Sequence, residues 1–168
     1  MTRISTGKTL LTLTSLVTAY GSYFFDWNET HIYNPNWPPH AKFHNAQTMS
    51  MGTAVGMAGL YTLWGRRGPW TRDRLQVSTA AASVYWITQL SSTLFPGTAL
   101  FDGPWPASAL DRADAGASGP GSGREQEEQV PARPPRVRGP QTVVASVSLA
   151  LNVLAYGLES RRLARGSE

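Results

Sequence analysis

The sequence predicts an all-α fold, a four-helix transmembrane bundle with one disordered lumenal insert, and three observations predict it. The apolar residues fall into four long blocks, the charges lie between and outside those blocks, and the aromatic residues cluster at block ends. At 168 residues there is room for one domain, residues 1–168, with spans at about 8–26, 43–64, 75–96 and 141–158.

The first span is uncharged from Thr9 to Phe25 and is bounded by Lys8 and Asp26. A helix of that length covers roughly 25 Å, enough to cross hydrocarbon. Its aromatic end (Tyr20, Tyr23, Phe24, Phe25) and the lack of a small-residue cleavage motif after it indicate an uncleaved anchor rather than a signal peptide. The second span carries Gly52 and Gly56, a small-xxx-small pair that lets another helix approach closely. The third runs from Leu75 toward Pro96-Gly97, where proline closes the helix, and the fourth runs from Gln141 to Leu158 without a charge. Four buried helices of a soluble domain are the competing reading. Such a domain would need amphipathic helices with a charged outer face to cover its core, and the blocks supply almost none.

Charge then sets orientation. The N-terminus, the Arg66–Arg74 connection and the C-terminal tail together hold nine basic and three acidic residues, against six basic and eight acidic on the other side. Both termini are therefore expected in the cytoplasm, and the loops 26–42 and 101–140 in the lumen of an organelle, the endoplasmic reticulum being the expected location. Trp27, Trp37, Trp64, Trp70 and Trp105 fall near span ends, as an aromatic belt requires. The overall charge of +4 does not point to nucleic acid, because the basic residues flank apolar blocks instead of forming one patch. The absence of cysteine excludes disulfides, thiolate metal sites and a cysteine nucleophile.

Residues 111–140 contain no Leu, Ile, Phe, Met, Trp or Tyr and are rich in Gly, Pro, Ala and charge. Too little apolar surface is available there to offset chain entropy, so this segment is expected to be a disordered loop. A gene-model error that translated non-coding sequence is an alternative origin for it, which transcript sequencing would settle.

The chemistry-bearing residues gather in the loop after the first span, where all three histidines lie. Pro39 suits the first position of the second helix. His40 and His44 then share one face, continued by Gln47 and Met51. A histidine in a first helical turn feels the positive pole of the helix, which disfavours imidazolium. Asp26 faces the negative pole at the edge of a low-dielectric slab, and both effects favour its protonated form. The candidate catalytic residues are therefore Asp26 or Glu29 as acid, with His31, His40 or His44 as base. Trp37, Gln47, Gln89 and Asn152 are candidates for binding substrate, the last two as polar groups facing the bundle interior. Simple helix capping and interfacial packing explain the same residue types, and His40 with His44 is also half of a metal site. The pair lacks the intervening glutamate of the metalloprotease helix, so no metal and no cofactor is expected. Asn28-Glu29-Thr30 matches a glycosylation acceptor, set too close to the span for easy access. Gly7-Lys8-Thr9 lacks the first glycine of a phosphate-binding loop, and Gly52–Gly56 lacks the serine of a nucleophile elbow.

The run from Asp26-Trp27-Asn28-Glu29-Thr30-His31 through Asn34-Pro35-Asn36-Trp37-Pro38-Pro39-His40 to Ser50 resembles a poorly characterised family of small four-span membrane proteins, frequent in fungi and often labelled "acetyltransferase" automatically. The resemblance is good over the first two spans, looser over the last two, and absent from 111–140. No acyl-donor pocket can be pointed to in the sequence. Similar small membrane proteins act on terpenoid or polyketide intermediates, so the resemblance implies a lipophilic substrate of secondary metabolite biosynthesis, on which the titratable groups gathered at one membrane interface are expected to act as an isomerase, cyclase or hydrolase. The expected partners are a lipophilic small molecule and membrane lipids, with a homo-oligomer or a complex with biosynthetic enzymes as further options. A non-enzymatic lipid or sterol binder, or a scaffold, is the alternative, with Tyr85, Trp86 and the glycine face of the second helix shaping an apolar groove.

Overall fold

The computed structural model describes residues 4–96, 98, 100 and 140–166, and among these it contains four long helices and no strand. They are α1 (Thr6–Asp26), α2 (Pro39–Leu60), α3 (Arg72–Ser91) and α4 (Pro140–Arg165). A π-helical turn, Tyr61–Gly65, prolongs α2, and a 3-10 turn, Ser92–Leu94, finishes α3 before Pro96. The expected disordered loop lies outside the described residues, apart from Pro140, which opens α4.

Each helix begins where its sequence supplies a start signal. Ser5 accepts a hydrogen bond from the Lys8 amide at the head of α1, and Thr71 accepts from the Arg74 amide at the head of α3. Pro39 occupies the first turn of α2, where an N–H would have no intrahelical partner.

The helices alternate in direction, as their contacts prove. Along α1, Gly7 meets Glu159 near the end of α4, Thr14 meets Asn152, Ser15 meets Gly56, Thr18 meets Gly52, and Asp26 meets Asn45 near the start of α2. α1 thus packs antiparallel to both α2 and α4, and it also touches α3, which bridges α2 and α4. The α1–α2 contact is close because Gly52 and Gly56 lie against the backbone of Thr18, Ser15 and Ala19, and the Thr53 hydroxyl donates to the Ala19 carbonyl at 2.9 Å. This packing fills the glycine face of α2 with α1, so the apolar groove expected there is not open.

Polar side chains share the interior of the bundle with an apolar core of Leu11, Leu63, Leu75, Ala82 and Ala155. Its buried positions include Thr14, Ser15, Thr18, Ser22, Ser78, Ser148 and Asn152, whereas Leu13, Val17, Phe24, Ile87, Val147 and Val153 are exposed on the outside. Three of these polar groups are tied across helices, Thr14 and Asn152 to each other and Thr18 to Trp86, whereas the hydroxyls of Ser15, Ser22 and Ser78 have no hydrogen-bond partner. Asn152 accepts from the Thr14 hydroxyl at 2.6 Å and donates to the Ala82 carbonyl at 2.9 Å, and the Trp86 indole donates to Thr18 at 2.9 Å. One helix among the described residues, α4, is long and apolar enough to cross a membrane by length and composition alone, with a mean hydropathy of 1.5 over its best stretch. Inward serines and threonines in α1, the Pro39–Gln47 start and the glycines of α2, and Arg72, Asp73, Arg74, Gln76 and Gln89 in α3 lower the average hydropathy of those helices.

Candidate functional site

The buried face of α1 follows Gly7, Leu11, Thr14, Ser15, Thr18, Ala19 and Ser22. One further turn along that stripe stands Asp26, the last residue of the helix. It borders a cavity of about 200 Å³ at the end of the bundle where α1 and α3 finish and α4 begins. His31 from the following loop, Tyr85, Trp86 and Gln89 from α3, and Gln141 from α4 line the same space.

The loop is folded back onto α1 by Asn28. Its side-chain amide donates to the Phe25 carbonyl at 2.6 Å, which fixes which way the amide points. The Asn28 Oδ1 then accepts from the Thr30 amide at 2.8 Å and from the Thr30 hydroxyl at 2.6 Å, an Asx turn. A threonine hydroxyl has one proton, and here it is committed to Asn28. The His31 Nδ1, 2.7 Å from the same hydroxyl oxygen, must therefore be the donor to it. In the neutral ring this leaves the lone pair on Nε2, and that atom faces the Asp26 Oδ1 at 3.9 Å. The other carboxylate oxygen of Asp26 accepts from Asn45 of α2 at 3.3 Å. Trp37 packs edge-to-face on the His31 ring with 4.9 Å between centroids. The Trp27 indole also donates to the Tyr33 hydroxyl, bracing the loop from outside. The result is one carboxyl and one imidazole, each oriented by its own partners, at the mouth of a largely apolar space.

The structure therefore brings together Asp26, His31 and Gln89 of the candidate residues, with Trp37 supporting the imidazole. It does not bring the others to the cavity. His40 and His44 do share a helical face, and their Nε2 atoms lie 3.0 Å apart, but that face is exposed on the outside of α2. Gln47 extends it and contacts the His44 Nδ1 at 3.3 Å. The reason is rotational: Met49, Gly52, Gly56 and Gly59 form the buried face of α2, and the stripe carrying His40, His44, Gln47 and Met51 is turned well away from it. Glu29 is exposed in the loop. Asn152 is buried midway along the bundle with its partners on α1 and α3, where it joins helices instead of facing the cavity.

Sequence reasoning missed Asn45, Thr30 and Gln141 as parts of this site, and it weighed Asn28 only as a glycosylation acceptor set too close to the span. Asn45 was legible, because it stands four residues before Met49 and seven before Gly52 on the one buried face. The Asx turn was legible in part from Asn28-Glu29-Thr30, although nothing in that triplet shows where the loop returns.

A family model matches residues 10–112, more than half of the chain. The chain belongs to the family of unknown function DUF6640. The matched DUF6640 segment contains α1, α2, α3 and the loop with Asp26 and His31, and it ends before α4, so Gln141 lies beyond it. No curated protein and no solved structure matches the chain.

The opposite end of this DUF6640 chain carries a second polar cluster. Arg74 is buried and donates to the carbonyls of Thr62, Leu63, Gly68 and Pro69, closing the π-helical turn after α2. Glu159 is 1% exposed and accepts from the Trp70 indole at 3.0 Å and from Arg162 at 2.9 Å. Burial pushes its carboxyl up, but bonds from Ser5, Arg162 and Trp70 outweigh that and hold it below the ordinary glutamate value. The Lys8 ammonium lies over the Trp64 ring at 3.9 Å. Arg74 bonds backbone carbonyls, Glu159 bonds Trp70 and Arg162, and Lys8 lies over Trp64, so these groups staple the helix ends. Among the described residues there is no cluster of three or more His, Asp and Glu able to hold a metal.

Proposed function

We propose that this protein crosses a membrane four times, both termini in the cytoplasm, and that its Asp26–His31 pair performs acid/base chemistry on a lipophilic intermediate at the lumenal interface. The observation that carries the chemical half is the pair itself. A carboxyl and an imidazole nitrogen whose lone pair faces it, 3.9 Å apart, border a cavity with mostly apolar walls. The membrane half is supported by the apolar outside of the bundle. Leucines, valines and phenylalanines cover that outside while Thr14, Thr18 and Asn152 make interhelical hydrogen bonds within, which suits hydrocarbon as the outer solvent. The endoplasmic reticulum is the expected membrane.

The arrangement fits isomerisation or proton-initiated cyclisation of a terpenoid or polyketide intermediate best, because such reactions return the proton they use. In this hypothesis Asp26 delivers a proton to the substrate and the His31 Nε2 removes one from a neighbouring carbon. The proton then passes from Nε2 back to Asp26 across the short gap, so no co-reactant is consumed. Thr30 keeps the His31 lone pair on the correct nitrogen, and Asn45 holds the carboxyl toward the ring. Hydrolysis by the same pair would need a water molecule between them and the substrate.

The test is metabolite profiling by mass spectrometry of a deletion strain complemented with wild type, Asp26→Asn, His31→Ala or His44→Ala. Loss of general acid or base is expected to lower product about 10²–10⁴-fold in the first two variants. His44→Ala should behave as wild type. Unchanged product in Asp26→Asn at normal protein abundance would refute the acid/base reading and favour a binding protein.

A further inference from the structure

The cavity holds two polar groups that the acid/base chemistry does not use. The Gln141 Nε2 donates to the Leu100 carbonyl at 3.4 Å, so the orientation of that amide is set and its Oε1 is the free acceptor. This Oε1 is fully buried and has no hydrogen-bond partner, and the same holds for the Oε1 of Gln89 on the neighbouring helix. Both residues line the cavity beside Asp26 and His31. A buried amide oxygen without a donor is disfavoured, and two on residues that line one cavity call for a group that supplies the missing protons. Apolar ligands cannot, and neither can carbonyl groups, which only accept.

Size narrows the ligand further. A dry cavity of about 150 Å³ takes up benzene. The cavity here, about 200 Å³, suits one ring with a small substituent. A longer lipophile would place only its end in the site. Trp86 and Val144 give that ring apolar walls, and the glutamines lie on the side where α3 and α4 converge.

Resting on the reading of this cavity as the substrate site, we infer that it selects the hydroxyl-bearing ring of a lipophilic alcohol, whose hydroxyl donates to the Gln141 Oε1, with the Gln89 Oε1 as the second acceptor for a diol. A ketone of the same shape would set two oxygens against each other. A hydrocarbon would leave both glutamines unpaired.

The probes are 4-methylcyclohexanol, 4-methylcyclohexanone and methylcyclohexane, titrated into the detergent-purified full chain and followed by ligand-observed NMR. The alcohol is expected to bind at least about tenfold more tightly than the ketone, in line with the penalty for an unpaired buried acceptor. In Gln141→Leu the alcohol should lose about tenfold while the hydrocarbon gains. Gln141→Met, which also removes the acceptor oxygen but keeps the length of the side chain, provides the same comparison should Gln141→Leu fail to fold, and the wild-type preference needs no variant at all. Equal binding of alcohol and ketone to wild type, or an alcohol preference that persists in the folded Gln141 variants, overturns the inference. Binding is read without turnover, so the two readings fail separately. An alcohol preference alongside normal product from Asp26→Asn defeats the acid/base reading alone. No alcohol preference alongside loss of product from Asp26→Asn and His31→Ala defeats this inference alone.

Discussion

Substituting Gly56 by alanine probes the packing that positions α1, and therefore Asp26, against the rest of the bundle. A Cβ at Gly56 would lie 2.6 Å from the Ser15 carbonyl oxygen and 2.7 Å from both the amide nitrogen and the Cβ of Ala19. Two of these three atoms belong to the backbone, so no side chain can rotate away. To restore ordinary contact near 3.4 Å, α1 and α2 must separate by about 0.8 Å, an overpacking change that costs about 1–3 kcal/mol. The separation also stretches the hydrogen bond from the Thr53 hydroxyl to the Ala19 carbonyl, now 2.9 Å. Losing that bond adds about 1 kcal/mol, and the better helix propensity of alanine returns about as much. The expected net effect is a loss of about 2 kcal/mol. Gly157→Ala is the control, since a Cβ there meets nothing within 4 Å. It should be neutral or stabilising by up to about 1 kcal/mol. Both variants can be compared by equilibrium unfolding in mixed micelles. If Gly56→Ala proves as stable as Gly157→Ala, the α1–α2 interface described here is wrong.

Other outcomes follow from the site and from the stapled end. Thr30→Val removes the acceptor for the His31 Nδ1 proton and frees the ring to carry its lone pair on either nitrogen. Product formation should fall about tenfold with little change in abundance, and Thr30→Ser should restore it. Glu159 has a folded-state pKa below its ordinary value of 4.5, so its stabilisation is complete above that pH and is lost as the pH falls through the lower folded-state value. Thermal unfolding of wild type should therefore become easier on acidification below about pH 4.5, while Glu159→Gln, less stable at neutral pH, should flatten that dependence. A Glu159→Gln profile parallel to wild type would show that this carboxyl does not carry the effect. Asn152→Leu leaves the Thr14 hydroxyl and the Ala82 carbonyl without their interhelical partner. A destabilisation of about 1–3 kcal/mol is expected in the same unfolding assay, with alcohol binding by the folded fraction retained.

The helices themselves were legible because their signals are local: uncharged runs, Pro39 at a helix start, Pro96 at an end, and Gly52 with Gly56 for close approach. The pairing of Asp26 with a histidine was legible only by residue type. Helical periodicity correctly placed His40 and His44 on one face, but a sequence of small and polar residues gives no strong indication of which face turns inward. α2 turns its glycines in and its histidines out. His31 reaches Asp26 through an Asx turn and a returning loop, and its position depends on four hydrogen bonds that no periodicity encodes. Arg74 and Glu159 read as flanking charges because their burial follows from tertiary neighbours: the carbonyls of a π-helical turn for one, and Trp70 with Arg162 for the other.

Everything proposed for the cavity depends on the apolar outside of the bundle facing hydrocarbon and on its two ends facing opposite compartments. The chain has no cysteine of its own, so single cysteines report without background. In sealed microsomes, a membrane-impermeant maleimide should label Arg67→Cys directly and Lys42→Cys only after permeabilisation. It should leave Val147→Cys, on the exposed apolar face of α4, unlabelled in both conditions. Labelling of all three without permeabilisation, with the protein recovered in the detergent-free supernatant, would contradict the four-span account.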